Sequence, residues 1–276
     1  MNAASDTLEN IELSLLLEGV FQHYGFDFRN YAPSSLKRRV RHYMREESVL
    51  TISALQGRLL HDTASMERFL LTLSINVSAI FRDPQFYLTF RDKIIPRLRT
   101  YPFIRIWHAG CATGEEVYSI AILLEEAGLY ERTRIYATDM NEAILARAAD
   151  GVYPLGKMKE YADNYTKTGG KRVFSDYYTA QYGRSIFRSS LKKNIVWAQH
   201  NLATDGSFNE FHVILCRNVM IYFDRVLQAR VHNLLYDSLI TFGLLGLGDK
   251  EAIQFTPQEA SYEAVDNVQK WYRKVR

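Results

Sequence analysis

Residues 104–128 read IRIWHAGCATGEEVYSIAILLEEAG, and the order of signals within them decides the fold. IRIWHAG, at 104–110, is a short apolar run closed by Gly110, as a buried strand is. EEVYSIAILLEEAG, at 115–128, carries apolar residues three and four apart and stops at Gly128, as an amphipathic helix does. Between them lies AGCATGEE, 109–116, a turn of small residues. Further along, RIYATD (134–139), IVWAQHN (195–201) and HVILCRN (212–218) read as strands, and WYRKVR (271–276) as a final one. NEAILARAADG (141–151) and FDRVLQARVHNLLYDSLI (223–240) read as helices. Alternating strands and helices predict an α/β fold with a mostly parallel, doubly wound sheet covered on both faces.

On the amino-terminal side the pattern is helical. From Ile11 to about Leu73 apolar residues such as Leu36, Val40, Tyr43 and Met44 recur at helical spacing, and no strand signal interrupts them. Pro33-Ser34-Ser35, Thr51 and Thr63 stand where helices are expected to begin, and a connecting helix near 83–98 is closed off by Pro102. Between Tyr153 and Leu191 the alternation lapses into a stretch rich in Lys, Tyr, Gly and Ser, with a Gly169-Gly170 turn and the strand-like runs SDYYTAQYG and SIFRSS. This predicts a small β insert over about 153–193. The expected organisation is an all-helical domain over 1–75 followed by an α/β domain over 76–276.

With 47% hydrophobic and 24% charged residues, the composition is that of a folded, water-soluble chain. No apolar run approaches the roughly 18 residues that cross a bilayer, so no direct membrane insertion is expected. The first residues lack the features of a secretory signal. Cys111 and Cys216 lie in apolar runs, not at metal or redox spacing, so buried thiols in a reducing, cytoplasmic compartment are expected. A net charge of +3 is too small to point to nucleic acid. It is unevenly spread: in KRRVRHYMR, residues Lys37, Arg41 and Arg45 fall along one helix face, either a solvated surface or a docking face for an acidic partner.

The turn at 109–116 carries the chemistry. Crevices beyond the carboxyl ends of parallel strands bind ligands, and Gly110, Ala112 and Gly114 let the backbone approach one closely. The motif is not GxGxxG, and Glu115 and Glu116 in the first helical turn would repel a dinucleotide phosphate, which sets aside a nicotinamide dehydrogenase. A ligand with a cationic end fits better. Asp139 ends the next strand, where a carboxylate can accept hydrogen bonds from both ribose hydroxyls. A nucleoside carrying an ammonium and a sulfonium is S-adenosylmethionine. Both features also have plain structural readings, since Glu is favoured at any helix start and strand-terminal Asp is common, and on their own they leave the two readings standing.

Further segments tilt the balance. SINVSAIFRD (74–83), IWHAGCATGEEVYSIA (106–121), ATDMNEAIL (137–145) and ILCRNVMIYFD (214–224) resemble, in the same order, motifs of the CheR chemotaxis-receptor methyltransferases. The resemblance extends over nearly the whole chain. It implies a methyltransferase sheet, S-adenosylmethionine as cofactor, S-adenosylhomocysteine as product, and glutamate side chains of chemoreceptors or related receptors as acceptors. It also implies that Asn76, Ser78 and Arg82 contact the cofactor, with Gly110 in its turn. Glu116 would meet the methionine ammonium and Asp139 the ribose; Asn201 and Leu202 would border the adenine, and Arg217 and Asn218 would lie beneath the sulfonium. Arg82 and Tyr222 are the residues it suggests for the acceptor carboxylate, and the basic helix at 37–45 and the β insert are implied receptor contacts.

Each assignment has a bland counterpart: Tyr222 as core, Arg82 as a surface ion pair, Asn76 as a helix cap. His108, standing where the family has a small polar residue, reads as packing, as do the two cysteines. No general base is needed, because a glutamate acceptor with a pKa of about 4.3 is already ionised near neutrality. No metal-ligand cluster is present in the pattern. The chain departs from the family in LLGLGDKEAI (244–253), where Asp249 and Lys250 replace a usual His-Ser pair, and at Val117 and Ile80. The first departure keeps open a second reading, a non-catalytic module that binds the cofactor and a signalling partner.

Overall fold

The computed structural model describes residues 3–73 and 78–276, with side chains from residue 6 onward. The chain divides into two compact units, Met1–Ile75 with Tyr222–Val231, and Asn76–Ile221 with His232–Arg276.

In the first unit, α1 (Ala3–Tyr24), α2 (Pro33–Glu46), α3 (Ile52–His61) and α4 (Thr63–Leu73) follow one another. α1 begins eight residues before the predicted start at Ile11. α2 opens on Pro33, whose fixed φ suits the first turn and whose missing N–H is not needed there. Thr51 caps α3 by accepting from Ala54 N at 3.1 Å, and Asp62 accepts from Ala64 N at 3.0 Å at the start of α4. The apolar stripes meet in a core of Leu16, Val20, Val40, Leu55, Leu59 and Phe69. Tyr222–Val231 joins this unit through main-chain bonds from Ala32 N to Tyr222 O and from Asp224 N to Asn30 O, both 2.8 Å. The basic face of α2 is partly neutralised from within, because Arg41 and Lys37 share Glu9 at 2.6 and 3.6 Å.

The second unit opens with α5 (Pro84–Thr89), a π turn at Phe90–Ile94, and α6 (Ile95–Leu98). The π turn falls where Pro96 has no N–H to give the preceding turn. β1 (Ile104–Ala109), α7 (Glu115–Glu126), β2 (Thr133–Asp139) and α8 (Glu142–Asp150) then alternate as expected. The insert comprises β3 (Val152–Pro154), α9 (Met158–Lys167), β4 (Tyr178–Gln181) and β5 (Arg184–Phe187), its strands forming an antiparallel sheet in the order β3-β5-β4. β6 (Ile195–Gln199), β7 (Phe211–Cys216), α10 (Arg225–Asp237), β8 (Leu239–Leu247), β9 (Tyr262–Asp266) and β10 (Trp271–Lys274) complete the chain.

The main sheet has the order β6-β2-β1-β7-β8-β10-β9. β6, β2, β1, β7 and β8 are parallel neighbours, and β10 runs antiparallel between β8 and β9. Its inner strands are apolar on both faces, with Ile106, Trp107, Val213 and Ile214 fully buried, each contributing about 1.5–3 kcal/mol. From β1 the chain winds outward to β2 and β6, then returns to the other side of β1 as β7. The carboxyl ends of β1 and β7 therefore flank a topological switch, the place where open α/β sheets leave a crevice. Three elements differ from the sequence-based expectation. α9 occupies part of the insert, β9 lies where no strand was expected, and β8 begins at Leu239 because the helix foreseen to Ile240 stops at Asp237.

Candidate active site

The side chains gather where the strands end. Glu116, in the first turn of α7, takes a hydrogen bond from Arg217 Nη1 at 2.9 Å on one oxygen and lies 3.1 Å from His108 Nδ1 on the other. A carboxylate only accepts, so Nδ1 of His108 carries the hydrogen. Arg217, just past β7, uses its second terminal nitrogen on Asp83 Oδ2 at 2.9 Å. Its guanidinium lies 3.8 Å from the centre of the Phe86 ring. The Arg217 side chain is only 3% exposed, so this fork is fixed by packing as well as by charge. Arg82 Nε is 4.0 Å from Asp83 Oδ2, which extends the chain of charges to a side chain 41% exposed.

Burial works against the charged form of Glu116, but the bond to His108 and the Arg217 charge outweigh it and hold its carboxyl below the usual 4.5. A depressed folded pKa means that the stabilisation is complete above the unfolded value and is lost as pH falls through the folded one. Glu116→Gln is therefore expected to lose less stability than wild type between about pH 6 and about pH 3 in urea unfolding. Equal losses would mean that Glu116 is not held ionised.

Asp139 closes β2 with Oδ2 accepting from Ala112 N at 3.0 Å and Oδ1 from Asn141 N at 3.1 Å. Burial pushes its carboxyl up, and these main-chain donors oppose the rise. Asp139 thus stitches the turn after β1 to the end of β2. Gly110 sits at φ +78, and a Cβ there would come within 2.7 Å of Val219 Cγ2. Gly110→Ala is expected to cost about 1–3 kcal/mol in thermal unfolding. Adding Val219→Ala should recover part of that, because it removes the clash and leaves the backbone strain; no recovery would show that the clash does not exist.

Asn201 and Leu202 follow β6. Asn201 Oδ1 accepts from Ala203 N at 3.0 Å, and Leu202 is buried. Ser78 is half-buried at the start of the segment leading to Arg82, and Asn76 lies outside the described residues. Tyr222 belongs to the first unit, where the Arg39 guanidinium lies 4.7 Å from its ring centre. Cys111 and Cys216 are buried free thiols.

Three residues here have no site role in the sequence reading: Asp83 and Glu251, which it passes over, and His108, which reads as packing; Asp83 and His108 complete the charge chain. Glu251 is 5% exposed and accepts four main-chain N–H groups. Gly248 and Asn218 donate to Oε2 at 2.7 and 2.9 Å, and Val219 and Met220 to Oε1, both at 2.8 Å. The departing residues Asp249 and Lys250 are exposed beside it. The backbone here is strained as well: Phe81, Asp83, Ala112 and Asn218 all have left-handed φ between 47 and 60°.

These features test which cofactor fits. The first turn of α7 carries two carboxylates, Glu115 and Glu116, and the main-chain N–H groups of 218–220 are taken by Glu251. Neither is open to a phosphate. An ionised Glu116 and a strand-end Asp139 suit a nucleoside that carries positive charge and no phosphate.

Sheet order, switch point and crevice chemistry define a methyltransferase-type α/β domain. Comparison with known proteins agrees. The chain matches the family model for the CheR methyltransferase SAM binding domain over residues 76–268 and that for the CheR methyltransferase all-alpha domain over 11–74. A Pseudomonas putida KT2440 protein named "Putative methyltransferase Cher3" is 48% identical over 98% of this chain and 99% of its own. Proteins named "Chemotaxis protein methyltransferase" from Listeria innocua and Salmonella typhimurium are 30% and 29% identical, over 83% and 81% of this chain and 85% and 76% of theirs. This chain belongs to the CheR methyltransferase family, and its second unit is a domain for an S-adenosylmethionine-type cofactor. Among the described residues, no helix is long and apolar enough to cross a membrane.

Proposed function

We propose that this chain transfers the methyl group of S-adenosylmethionine to glutamate side chains of a chemoreceptor or related signalling receptor in the cytoplasm, releasing S-adenosylhomocysteine. The observation that carries the reading is the ionised Glu116, held between Arg217 and His108 at the switch point beside Asp139. Family membership and the names of the Listeria and Salmonella relatives support it.

When bound, the cofactor supplies an electrophilic methyl carbon. The chain's own residues have then to hold, orient and exclude water. Glu116 is proposed to receive the cofactor's ammonium, since a carboxylate with two bonds made still has lone pairs to offer. Asp139 is proposed to take the ribose hydroxyls, Asn201 and Leu202 to border the adenine, and Asn76, Ser78, Gly110, Arg217 and Asn218 to line the rest. The acceptor carboxylate arrives ionised, so the work left is alignment, which supplies roughly 7–11 kcal/mol when the reacting atoms are well placed. Arg82 is proposed to hold one carboxylate oxygen through its planar fork, and Tyr222 to hold the other through its hydroxyl. Receptor contact is proposed for the basic face of α2 and for the insert.

Incubation with methyl-labelled cofactor and receptor cytoplasmic domains tests the whole reading. Label should appear on glutamates as esters that release methanol in mild alkali, at a rate that falls with added salt. Alkali-stable label would move the acceptor to nitrogen, and a salt-independent rate would remove the basic face. Saturable cofactor uptake with no labelled product would favour the non-catalytic module.

A further inference from the structure

Glu251 has no place in the chemistry just described, yet it is a buried carboxylate that accepts four main-chain N–H groups. We propose that it is a positioning residue, a built-in anion that locks the turn after β7 and thereby sets Arg217 and Asn218 for the cofactor. The proposal rests on the reading that these two residues border that cofactor.

Three consecutive N–H groups, of Asn218, Val219 and Met220, point at one carboxylate. They converge because Asn218 adopts φ +60 before the short 3-10 turn Met220–Tyr222, a backbone form that makes a concave nest for anions. The fourth donor, Gly248 N at 2.7 Å, brings in the loop after β8. Gly248 has to be glycine for this approach, because a Cβ there would lie 2.7 Å from Glu251 Oε2 and 2.8 Å from Asn218 N. One side chain therefore ties the carboxyl ends of β7 and β8 together.

Four strong donors occupy both oxygens, and the group is buried, so Glu251 is not poised to touch a ligand or move a proton. Burial pushes its carboxyl up, while the four donors, which favour the anion, pull against that. Its effect passes through Arg217, the residue just before the nest, whose two terminal nitrogens reach Glu116 and Asp83 at 2.9 Å. A displacement of about 1 Å in the turn would carry both bonds outside hydrogen-bonding range. The geometry also accounts for the family departure at Asp249 and Lys250. They form the exposed tip of the loop and can vary freely as long as the carboxylate after them still reaches the nest.

The test uses full-length wild type, Glu251→Gln and Glu251→Ala, titrated calorimetrically with S-adenosylhomocysteine with and without formate, with amide hydrogen exchange at residues 218–220 followed in the same samples. Glu251→Ala should bind about 100-fold more weakly. Formate, small enough to enter the vacated nest, should restore much of that affinity and slow exchange at 218–220, while leaving wild type and Arg217→Met unchanged. Glu251→Gln, which keeps the volume but sets an NH2 group against two donors, should also bind weakly. Wild-type affinity in either folded variant, or a weakened Glu251→Ala that ignores formate in both readouts, overturns the proposal. If Glu251→Ala fails to fold, Glu251→Gln decides. If wild type itself fails to bind, the proposed function falls, and formate-dependent exchange at 218–220 still judges the nest.

Discussion

Arg82→Ala is expected to keep its affinity for S-adenosylhomocysteine within about threefold while losing about 100- to 1000-fold in methyl transfer. The two effects separate because of how the charges are shared. Asp83 Oδ2 is held by Arg217 at 2.9 Å and only approached by Arg82 at 4.0 Å, so Asp83 keeps its closer cation when Arg82 is lost. The Arg82 side chain is 41% exposed and that of Arg217 only 3%, so Arg82 is the cation of the two that solvent and an arriving carboxylate can reach. A clamp that fixes the acceptor oxygen acts on alignment, not on cofactor binding. Calorimetric titration and initial rates with labelled cofactor measure the two quantities, and a variant turning over at the wild-type rate would take Arg82 out of the mechanism.

The second large effect is expected at Arg217. Arg217→Met removes a buried cation from between Glu116 and Asp83, and also its contact with the Phe86 ring. Breaking a buried pair from one side costs about 3–5 kcal/mol, because the partner is left charged in a poorly solvated place. Glu116 would then have His108 alone. Urea unfolding should show a loss of that size, and cofactor affinity should fall with it. Glu116→Gln in the same chain should give back part of the stability, since it removes the orphaned charge. Arg217→Lys should not rescue, because a point charge cannot reach two carboxylates as a planar fork does. Strict additivity of Arg217→Met and Glu116→Gln would deny the coupling.

The parts of this molecule legible in sequence are those where local pattern and tertiary role coincide. β1, β2, β6 and β7 are apolar runs closed by turn signals, and the ends of three of them carry Gly110, Asp139 and Arg217, so fold and crevice could be read together. β8 was hidden because the apolar spacing of α10 runs on through Leu239 and Ile240, and because Gly243 and Gly246 make the strand look like a loop. α9 was hidden because its residues fall in the Lys-, Tyr-, Gly- and Ser-rich stretch that reads as a β insert, yet Met158, Tyr161 and Tyr165 are buried at helical spacing. Glu251 is the instructive omission. In a run reading GDKE it looks like a solvated turn residue, and its role exists only because the fold brings the main chain of residues 218–220, some thirty positions away, against it.

The left-handed conformations of Phe81, Asp83, Ala112 and Asn218 bear on any attempt to make this protein sturdier. Each is a position that glycine would occupy more comfortably, so a screen for thermal tolerance would be drawn to them. Yet Phe81 is fully buried, Asp83 binds Arg217 and Asn218 opens the nest filled by Glu251. On the proposed function, gains in heat resistance at these places come at the cost of activity, and a sturdier protein has to be sought in the helices and loops remote from the carboxyl ends of the strands.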